Sequence, residues 1–234
     1  MSDSFFGQVK KGLIVSCQAL EDEPLHGADV MAKMAKAAEI GGARAIRANG
    51  AADIVAIKNT VHLPVIGLIK RNYPDSEVYI TPTLMEVKEL IEAGVDVIAL
   101  DATNRLRPNG ESFEELVKYI QNHGVKVMAD TSTLEEALMA EALHVDCIST
   151  TLSGYTSYTE REQYGPDFQL IKEVYDAVKI PVIAEGQFHL PSQVTEALCL
   201  GAHAVVVGSA ITRPQLITEM YVSEIKKMKE KTQN

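Results

Sequence analysis

The chain has 234 residues, a formal net charge of −10 and a composition that is 46% hydrophobic. Its acidity argues against a nucleic acid or a membrane surface as the main partner. Its length suits one large α/β barrel or two small domains, and we find no linker or low-complexity tract that would divide it.

Short apolar runs recur along the chain from residue 13 onward. They lack a regular alternation of apolar and polar residues, which indicates strands that are buried on both faces, as in a parallel sheet. In chain order the predicted strands are Leu13–Cys17, Ala43–Ala48, Val65–Lys70, Val95–Leu100, Val125–Ala129, Cys147–Thr150, Val182–Glu185 and Ala204–Val207.

Segments with helical spacing separate these runs, and several of them close at a glycine, which is a common helix end. The predicted helices are Val30–Ile40, Ala51–Val61, Leu84–Ala93, Phe113–Asn122, Leu134–Ala142, Phe168–Val178, Val194–Leu200 and Gln215–Lys229. Eight strands alternating with eight helices predict a single-domain TIM (β/α)8 barrel, preceded by a short N-terminal extension over about residues 1–11. A doubly wound sheet is the alternative.

Polar or charged residues follow nearly every predicted strand at its carboxyl end, where the active sites of such barrels lie. The opposite strand ends are plainer. The residues at the carboxyl ends are Gln18, Arg47, Asn49, Lys70, Arg71, Asp101, Asp130, Thr150, Thr151, Glu185, Gly208 and Ser209.

Lys70 and Glu185 end the third and seventh predicted strands, which lie opposite each other in a ring of eight. An amine and a carboxylate on opposite walls of one cavity suit the removal of a proton from one face of a carbon and its return to the other. Arg47 and Asp130 would tune their pKa values and hold substrate oxygens. Two alternatives stay open: a structural Lys70–Glu185 ion pair, or a Schiff base on Lys70.

The loops that follow the seventh and eighth predicted strands have features of a phosphate site. The Glu185-Gly186-Gln187 and Gly208-Ser209-Ala210 segments can present free backbone N–H groups, and Arg213 adds a cation. Barrels often bind phosphate after strands seven and eight, so we predict a phosphate site at Gly186, Gly208, Ser209 and Arg213. Asp101 either faces the substrate or caps the loop before Arg105.

The six histidines and three cysteines have no spacing typical of a metal site, and no dinucleotide fingerprint follows the first strand. We therefore predict no metal and no cofactor. The N-terminal segment lacks the apolar stretch of a signal peptide, and no apolar run approaches the ~18 to 20 residues of a membrane helix. The sequence predicts a cytoplasmic protein with reduced cysteines.

Motifs that recur at all eight strand ends are Ile14–Leu20, Glu23–Leu25, Gly41–Asn49, Pro64–Arg71, Ile98–Thr103, Met128–Asp130, Thr150–Thr156, Ile183–Gly186 and Val207–Pro214. In this order they resemble the motifs of the N-acetylmannosamine-6-phosphate 2-epimerase family. The sequence departs from the family pattern mainly in the leader Met1–Val9 and in Gln187–Leu190.

The resemblance implies cofactor-free epimerisation at C2, from N-acetylmannosamine 6-phosphate to N-acetylglucosamine 6-phosphate, in sialic acid and amino sugar catabolism. It implies that Lys70 and Glu185 are the acid and base, with Lys70 alone as an open alternative, and that the Ser153–Thr159 loop covers the sugar. The implied substrate-binding residues are Gln18, Arg47, Asp130, Ser153, Tyr155 and Arg213.

The implied partner is a small phosphosugar, with no nucleic acid and no membrane. A homodimer is expected because barrels commonly dimerise. The rival functions are a Schiff-base aldolase or synthase, a metal-dependent epimerase of the ribulose-phosphate type, and a barrel that only senses a sugar phosphate.

Overall fold

The computed structural model describes residues 4–160 and 164–232. Eight parallel strands form a closed barrel in which each strand pairs with the next one along the chain and the last pairs with the first. The strands are β1 (Leu13–Cys17), β2 (Ala45–Asn49), β3 (Val65–Leu68), β4 (Val97–Asp101), β5 (Lys126–Asp130), β6 (Cys147–Ser149), β7 (Val182–Ala184) and β8 (Ala204–Val207). The predicted TIM barrel is confirmed.

Ten α-helices lie within the described residues, together with one 3-10 turn at Pro108–Gly110. Two of them, α1 and α9, were not predicted because they are only five and four residues long. The helices are α1 (Phe5–Val9), α2 (Ala28–Ile40), α3 (Ala51–Lys58), α4 (Leu84–Glu92), α5 (Phe113–Asn122), α6 (Leu134–Ala142), α7 (Phe168–Ala177), α8 (Pro191–Cys199), α9 (Ser209–Thr212) and α10 (Pro214–Thr232).

The strand residues pack in two layers because successive side chains point to opposite faces. One layer fills the barrel interior and includes Ile66, Leu68 and Met128, all fully buried. The other lies between the strands and the surrounding helices. No helix within the described ranges is long and apolar enough to cross a bilayer.

The N-terminal extension closes the amino end of the barrel. Phe5 and Val9 of α1 are buried and belong to the same apolar cluster as the interior residues of the strands. The Ser4 side chain caps α1 by accepting a hydrogen bond from the Gly7 backbone N–H. Residues 1–3 of the predicted extension lie outside the described residues.

The third strand is shorter than predicted. It ends at Leu68, and Lys70 instead forms an isolated antiparallel bridge with Ile80. The Lys70 backbone N–H donates to Oδ1 of Asn49 at 2.8 Å, which ties the end of β3 to the end of β2. Lys70 therefore sits in the loop just beyond the strand, at the mouth of the barrel.

Gly67 marks a close approach between β3 and the helix layer. A Cβ built on Gly67 would lie 2.4 Å from Cγ1 of Val95 and 3.0 Å from terminal carbons of Ile54 in α3 and Leu90 in α4. Only glycine leaves room for these three side chains.

Candidate active site

A cavity of about 490 Å³ opens at the carboxyl ends of the strands. Lys70 and Glu185 both line it, from the third and seventh strand ends. Within the described part of the chain, Lys70 and Glu185 make no ion pair within 4 Å of each other. The geometry thus brings both groups to one cavity without joining them directly.

Arg47 is the centre of a buried charge cluster at the base of this cavity. Its side chain is 1% exposed, and its Nη1 and Nη2 donate to the two carboxylate oxygens of Asp130 at 3.1 and 2.5 Å. Nη1 also lies 3.0 Å from Oε2 of Glu185. Burial would lower the pKa of Arg47, but Asp130 and Glu185 raise it above its ordinary value, so the guanidinium stays charged.

Asp130 is fully buried and lies behind Arg47 rather than on the cavity wall. It holds the guanidinium through two parallel hydrogen bonds, the strongest geometry for such a pair. The structure therefore gives Asp130 a role in orienting Arg47. Asp130 was predicted to bind substrate directly, but in this arrangement it would act on the substrate by positioning Arg47.

Glu185 is anchored on both its backbone and its side chain. The Thr150 hydroxyl donates to the Glu185 carbonyl at 2.9 Å and accepts from the Glu185 N–H at 3.1 Å. The Thr151 hydroxyl lies 3.0 Å from Glu185 Oε2 and 3.0 Å from Asp130 Oδ1. Burial raises the pKa of Glu185 above its ordinary value, against the opposing effect of the positive charge of Arg47.

Lys70 is held in an environment that favours the neutral amine. Burial is the largest cause, and the positive charges of Arg47 and Arg213 add to it, so that the pKa of Lys70 falls to about 8. Glu185 and Asp130 oppose this shift but do not cancel it. A lysine with such a pKa can act as a general base near neutral pH.

The predicted phosphate residues lie on the wall of the same cavity. Gly186, Gly208, Ser209 and Arg213 all line it, and α9 begins at Ser209 directly after β8. Gly186 has a φ of 113°, which favours glycine. At Gly208, an added Cβ would lie 3.4 Å from Cβ of Ser16.

Gln18 also reaches the cavity wall, with 8% of its surface exposed. Its Nε2 donates to the Ser16 hydroxyl at 2.7 Å, whereas its Oε1 is buried without a hydrogen-bond partner among the described residues. A buried acceptor without a partner is costly, and a donor on a ligand would relieve this cost.

The two predicted residues of the covering loop differ in placement. Tyr155 lines the cavity, and burial raises the pKa of its phenol. The structure does not bring Ser153 there: this residue is 5% exposed, and its hydroxyl donates to Oδ2 of Asp167 at 2.6 Å. Ser153 fastens the loop to the start of α7.

Asp101 takes the second of its two predicted roles. It is fully buried, accepts from the backbone and hydroxyl of Thr103, and binds Nη2 of Arg105 at 2.6 Å. It therefore caps its own loop.

Within the described residues, no group of three or more His, Cys, Asp or Glu side chains is placed to hold a metal ion.

Sequence reasoning missed several aromatic residues of the cavity wall. Tyr79 lines it because its neighbour Ile80 pairs with Lys70, a contact between loop residues that no strand pattern signals. Tyr164 and His189 also line it and stack on each other, with ring centroids 5.9 Å apart. The departure of Gln187–Leu190 from the family pattern was the one signal for His189.

The sequence has relatives among known proteins over most of its length. Residues 31–227 match the sequence model of a family described as "Putative N-acetylmannosamine-6-phosphate epimerase". The chain is 58% identical over 218 residues to a Clostridioides difficile (strain 630) protein named "Putative N-acetylmannosamine-6-phosphate 2-epimerase", covering 93% of this chain and 97% of that one.

Solved structures give the same result. The N-acetylmannosamine-6-phosphate 2-epimerase from Clostridium perfringens superposes with a TM-score of 0.93 and 53% identity, over 95% of this chain and 97% of that one. The thiamine phosphate pyrophosphorylase from Pyrococcus furiosus superposes with a TM-score of 0.62 over 89% of this chain and 90% of that one. At 18% identity, this second likeness shows the fold alone.

Proposed function

Since the chain belongs to the N-acetylmannosamine-6-phosphate epimerase family, and is therefore an isomerase, we propose that it converts N-acetylmannosamine 6-phosphate to N-acetylglucosamine 6-phosphate by inverting C2. The observation that carries this proposal is that Lys70 and Glu185 both line one cavity. The pKa of the lysine is lowered to about 8, and that of the carboxyl is raised. The two shifts suit a base and an acid that act at the same pH.

The substrate binds as the open-chain aldehyde, with its phosphate at Gly186, Gly208, Ser209 and Arg213. This orientation places the carbonyl end near Arg47 and Lys70. The positive charge of the Arg47 guanidinium stabilises negative charge on the carbonyl oxygen. The carbonyl acidifies the neighbouring C2–H, so no cofactor is required for its removal.

The proton transfer runs in two balanced steps. The neutral Lys70 amine takes the C2 proton from one face. The electron pair of the broken C2–H bond becomes part of an enolate. Protonated Glu185 then gives its proton to the opposite face of C2, leaving a lysine ammonium and a carboxylate. The enzyme returns to its starting state when Lys70 loses a proton to solvent and Glu185 gains one.

The test is solvent exchange at C2, followed by proton NMR in heavy water. Native enzyme should yield N-acetylglucosamine 6-phosphate carrying deuterium at C2. Glu185→Gln should still exchange the C2 proton of N-acetylmannosamine 6-phosphate, because Lys70 is intact, yet form no product. Lys70→Met should exchange the C2 proton only of N-acetylglucosamine 6-phosphate.

Two results would contradict this scheme. If Lys70→Met turned over at the native rate, the barrel would not use Lys70 as its base. If borohydride trapped a covalent adduct of the sugar on Lys70, a Schiff-base reaction would replace the enolate. Lys172→Met, a change at an exposed lysine whose side chain pairs with Asp176, is the matched control and should keep native activity.

We also propose that the enzyme acts in sialic acid and amino sugar catabolism in the cytoplasm. A phosphate monoester is ionised and does not cross a bilayer unaided, so substrate and enzyme share a compartment. The three cysteines are free, which suits a reducing environment. The partner is the phosphosugar alone, with neither a nucleic acid nor a membrane, in keeping with the net charge of −10.

The homodimer expected from the sequence has a candidate interface on α10. From Thr218 to Met228 every side chain of this helix is exposed. Met220, Tyr221 and Ile225 are 48, 72 and 52% exposed and lie at helical spacing. We assign this apolar stripe to contact with a second copy of the chain.

A further inference from the structure

Glu23 lies behind Arg213, where the loop after β1 meets the start of α10. Its Oε1 is 2.7 Å from Arg213 Nε, and its Oε2 accepts a hydrogen bond from Arg213 Nη2 at 2.9 Å. The Nε contact is an ion-pair distance without good hydrogen-bond alignment. The two side chains are 17% and 25% exposed, so the pair is partly shielded from solvent.

The carboxylate of Glu23 is itself fixed by two further groups. The backbone N–H of Leu20 donates to its Oε2 at 2.7 Å, and Nε2 of Gln215 donates to its Oε1 at 3.0 Å. One contact comes from the loop after β1 and the other from the first turn of α10. Glu23 is therefore a fixed support rather than a mobile counter-ion.

The orientation of the guanidinium follows from this support. A guanidinium binds oxyanions through edges on which two N–H groups are parallel. Glu23 lies against the edge formed by Nε and Nη2. Nη1 of Arg213 donates no hydrogen bond to the described residues, and Arg213 lines the cavity beside Gly208 and Ser209. The edge formed by Nη1 and Nη2 is thus available to a ligand.

We propose that Glu23 is a positioning residue for the phosphate end of the substrate, because it holds Arg213 with this free edge turned to the phosphate. The inference rests on the proposed function in naming a phosphate as the ligand. Glu23 also repels a phosphate through its own charge. Glutamine carries no charge and keeps one oxygen, which can still accept from Nη2 of Arg213, whereas its NH2 group replaces the oxygen near Arg213 Nε and Gln215 Nε2.

The experiment measures binding of inorganic phosphate and of N-acetylglucosamine 6-phosphate by calorimetry. Glu23→Ala should weaken both by about 10-fold, the loss expected when one charged hydrogen-bond partner is removed. Glu23→Gln should lose less affinity than Glu23→Ala, since it retains the acceptor for Nη2 of Arg213. In turnover, Glu23→Ala should raise KM by a similar factor while kcat changes by less than about twofold.

Either of two outcomes overturns the inference: Glu23→Ala binding phosphate as tightly as native enzyme, or Glu23→Gln losing as much affinity as Glu23→Ala. Circular dichroism checks folding. If Glu23→Ala fails to fold, Glu23→Asp replaces it, because the shorter side chain withdraws the carboxylate from Arg213 and should weaken binding in the same way.

A control variant and the native enzyme separate this inference from the function on which it rests. Glu39→Ala removes a carboxylate that accepts the His62 N–H at 2.8 Å, away from the cavity, and should keep native affinity. If native enzyme binds neither phosphate nor the sugar phosphate, the proposed function fails. If native enzyme binds both and Glu23→Ala binds equally well, only the role of Glu23 fails.

Discussion

At the scale of single residues, the lowered pKa of Lys70 makes the pH dependence of the reaction predictable. With a pKa of about 8, the neutral fraction of Lys70 is about 0.1 at pH 7 and about 0.9 at pH 9. At the ordinary lysine pKa it would be about 0.0003 at pH 7. The protein environment of Lys70 thus accounts for most of the neutral amine that is available as a base at pH 7.

The first prediction concerns that profile. Because the scheme needs a neutral Lys70 and a protonated Glu185, kcat/KM should rise as Lys70 loses its proton and fall as Glu185 loses its own, so steady-state rates between pH 6 and 10 should pass through a maximum. Lys70→Met should lower kcat by about 10³-fold or more. A profile that stays flat from pH 6 to 10 would exclude Lys70 as the base.

The second prediction concerns the pair that Arg47 forms with Asp130. Asp130→Asn leaves a buried guanidinium without its two-oxygen partner, so the free energy of unfolding should fall by about 3–5 kcal/mol. Urea denaturation followed by circular dichroism measures this loss. Asp29→Asn breaks an exposed ion pair with Lys33 and should leave stability unchanged. Equal stability of the two variants would contradict the contribution of Asp130 to the free energy of unfolding.

At the scale of secondary-structure elements, β3 approaches α3 and α4 closely at Gly67. Gly67→Ala would place a methyl group 2.4 Å from Cγ1 of Val95 and 3.0 Å from carbons of Ile54 and Leu90, so these buried side chains would have to shift. We expect a loss of about 1–3 kcal/mol in the free energy of unfolding, the usual effect of overpacking.

Its matched control is Gly41→Ala at the end of α2. Gly41 has a φ of −71°, and an added Cβ would meet carbonyl oxygens at the ordinary distance of 3.4 Å. This variant should be as stable as the native protein or slightly more so. Urea titrations of both variants test the pair, and equal midpoints would refute the tight approach at Gly67.

The elements also show how far the sequence alone could lead. The alternation of apolar runs and helical patterns predicted all eight strands in their order, because each run needs only local periodicity to be seen. β3 was predicted too long, through Lys70, since its end is set by a bridge to Ile80, ten positions away. The short helices α1 and α9 have too few residues to show a period.

The candidate site was predictable to the same extent. Charged groups at strand ends pointed to Lys70, Arg47 and Glu185, because strand geometry alone brings such ends together. The sequence could not separate Asp130, behind Arg47, from residues on the cavity wall, since depth depends on packing. The sequence did not predict Tyr79 as a cavity residue, because its position depends on the bridge between Ile80 and Lys70.

At the scale of the whole molecule, the exposed stripe of α10 bears on assembly. If it contacts a second copy, charges placed there should split the dimer. Met220→Glu combined with Ile225→Glu should elute as a monomer in size-exclusion chromatography with light scattering, whereas the native protein should elute as a dimer.

The control for this change is another exposed apolar side chain. Leu106→Glu alters a residue that is 83% exposed in the loop after β4, and it should leave the dimer intact. A native protein that elutes as a monomer at all concentrations would contradict the assignment of α10 to an interface.

The packing of α1 at the amino end of the barrel has a consequence for how the enzyme would recover between turnovers. Phe5 and Val9 fill that end, and the cavity that Lys70 and Glu185 line opens at the carboxyl ends of the strands. In the proposed two-base scheme, each turnover leaves Lys70 with an added proton and Glu185 without one, so solvent must restore both groups before the next substrate reacts. We expect a sugar bound in the cavity to shield both groups from solvent, so this resetting should take place in the free enzyme.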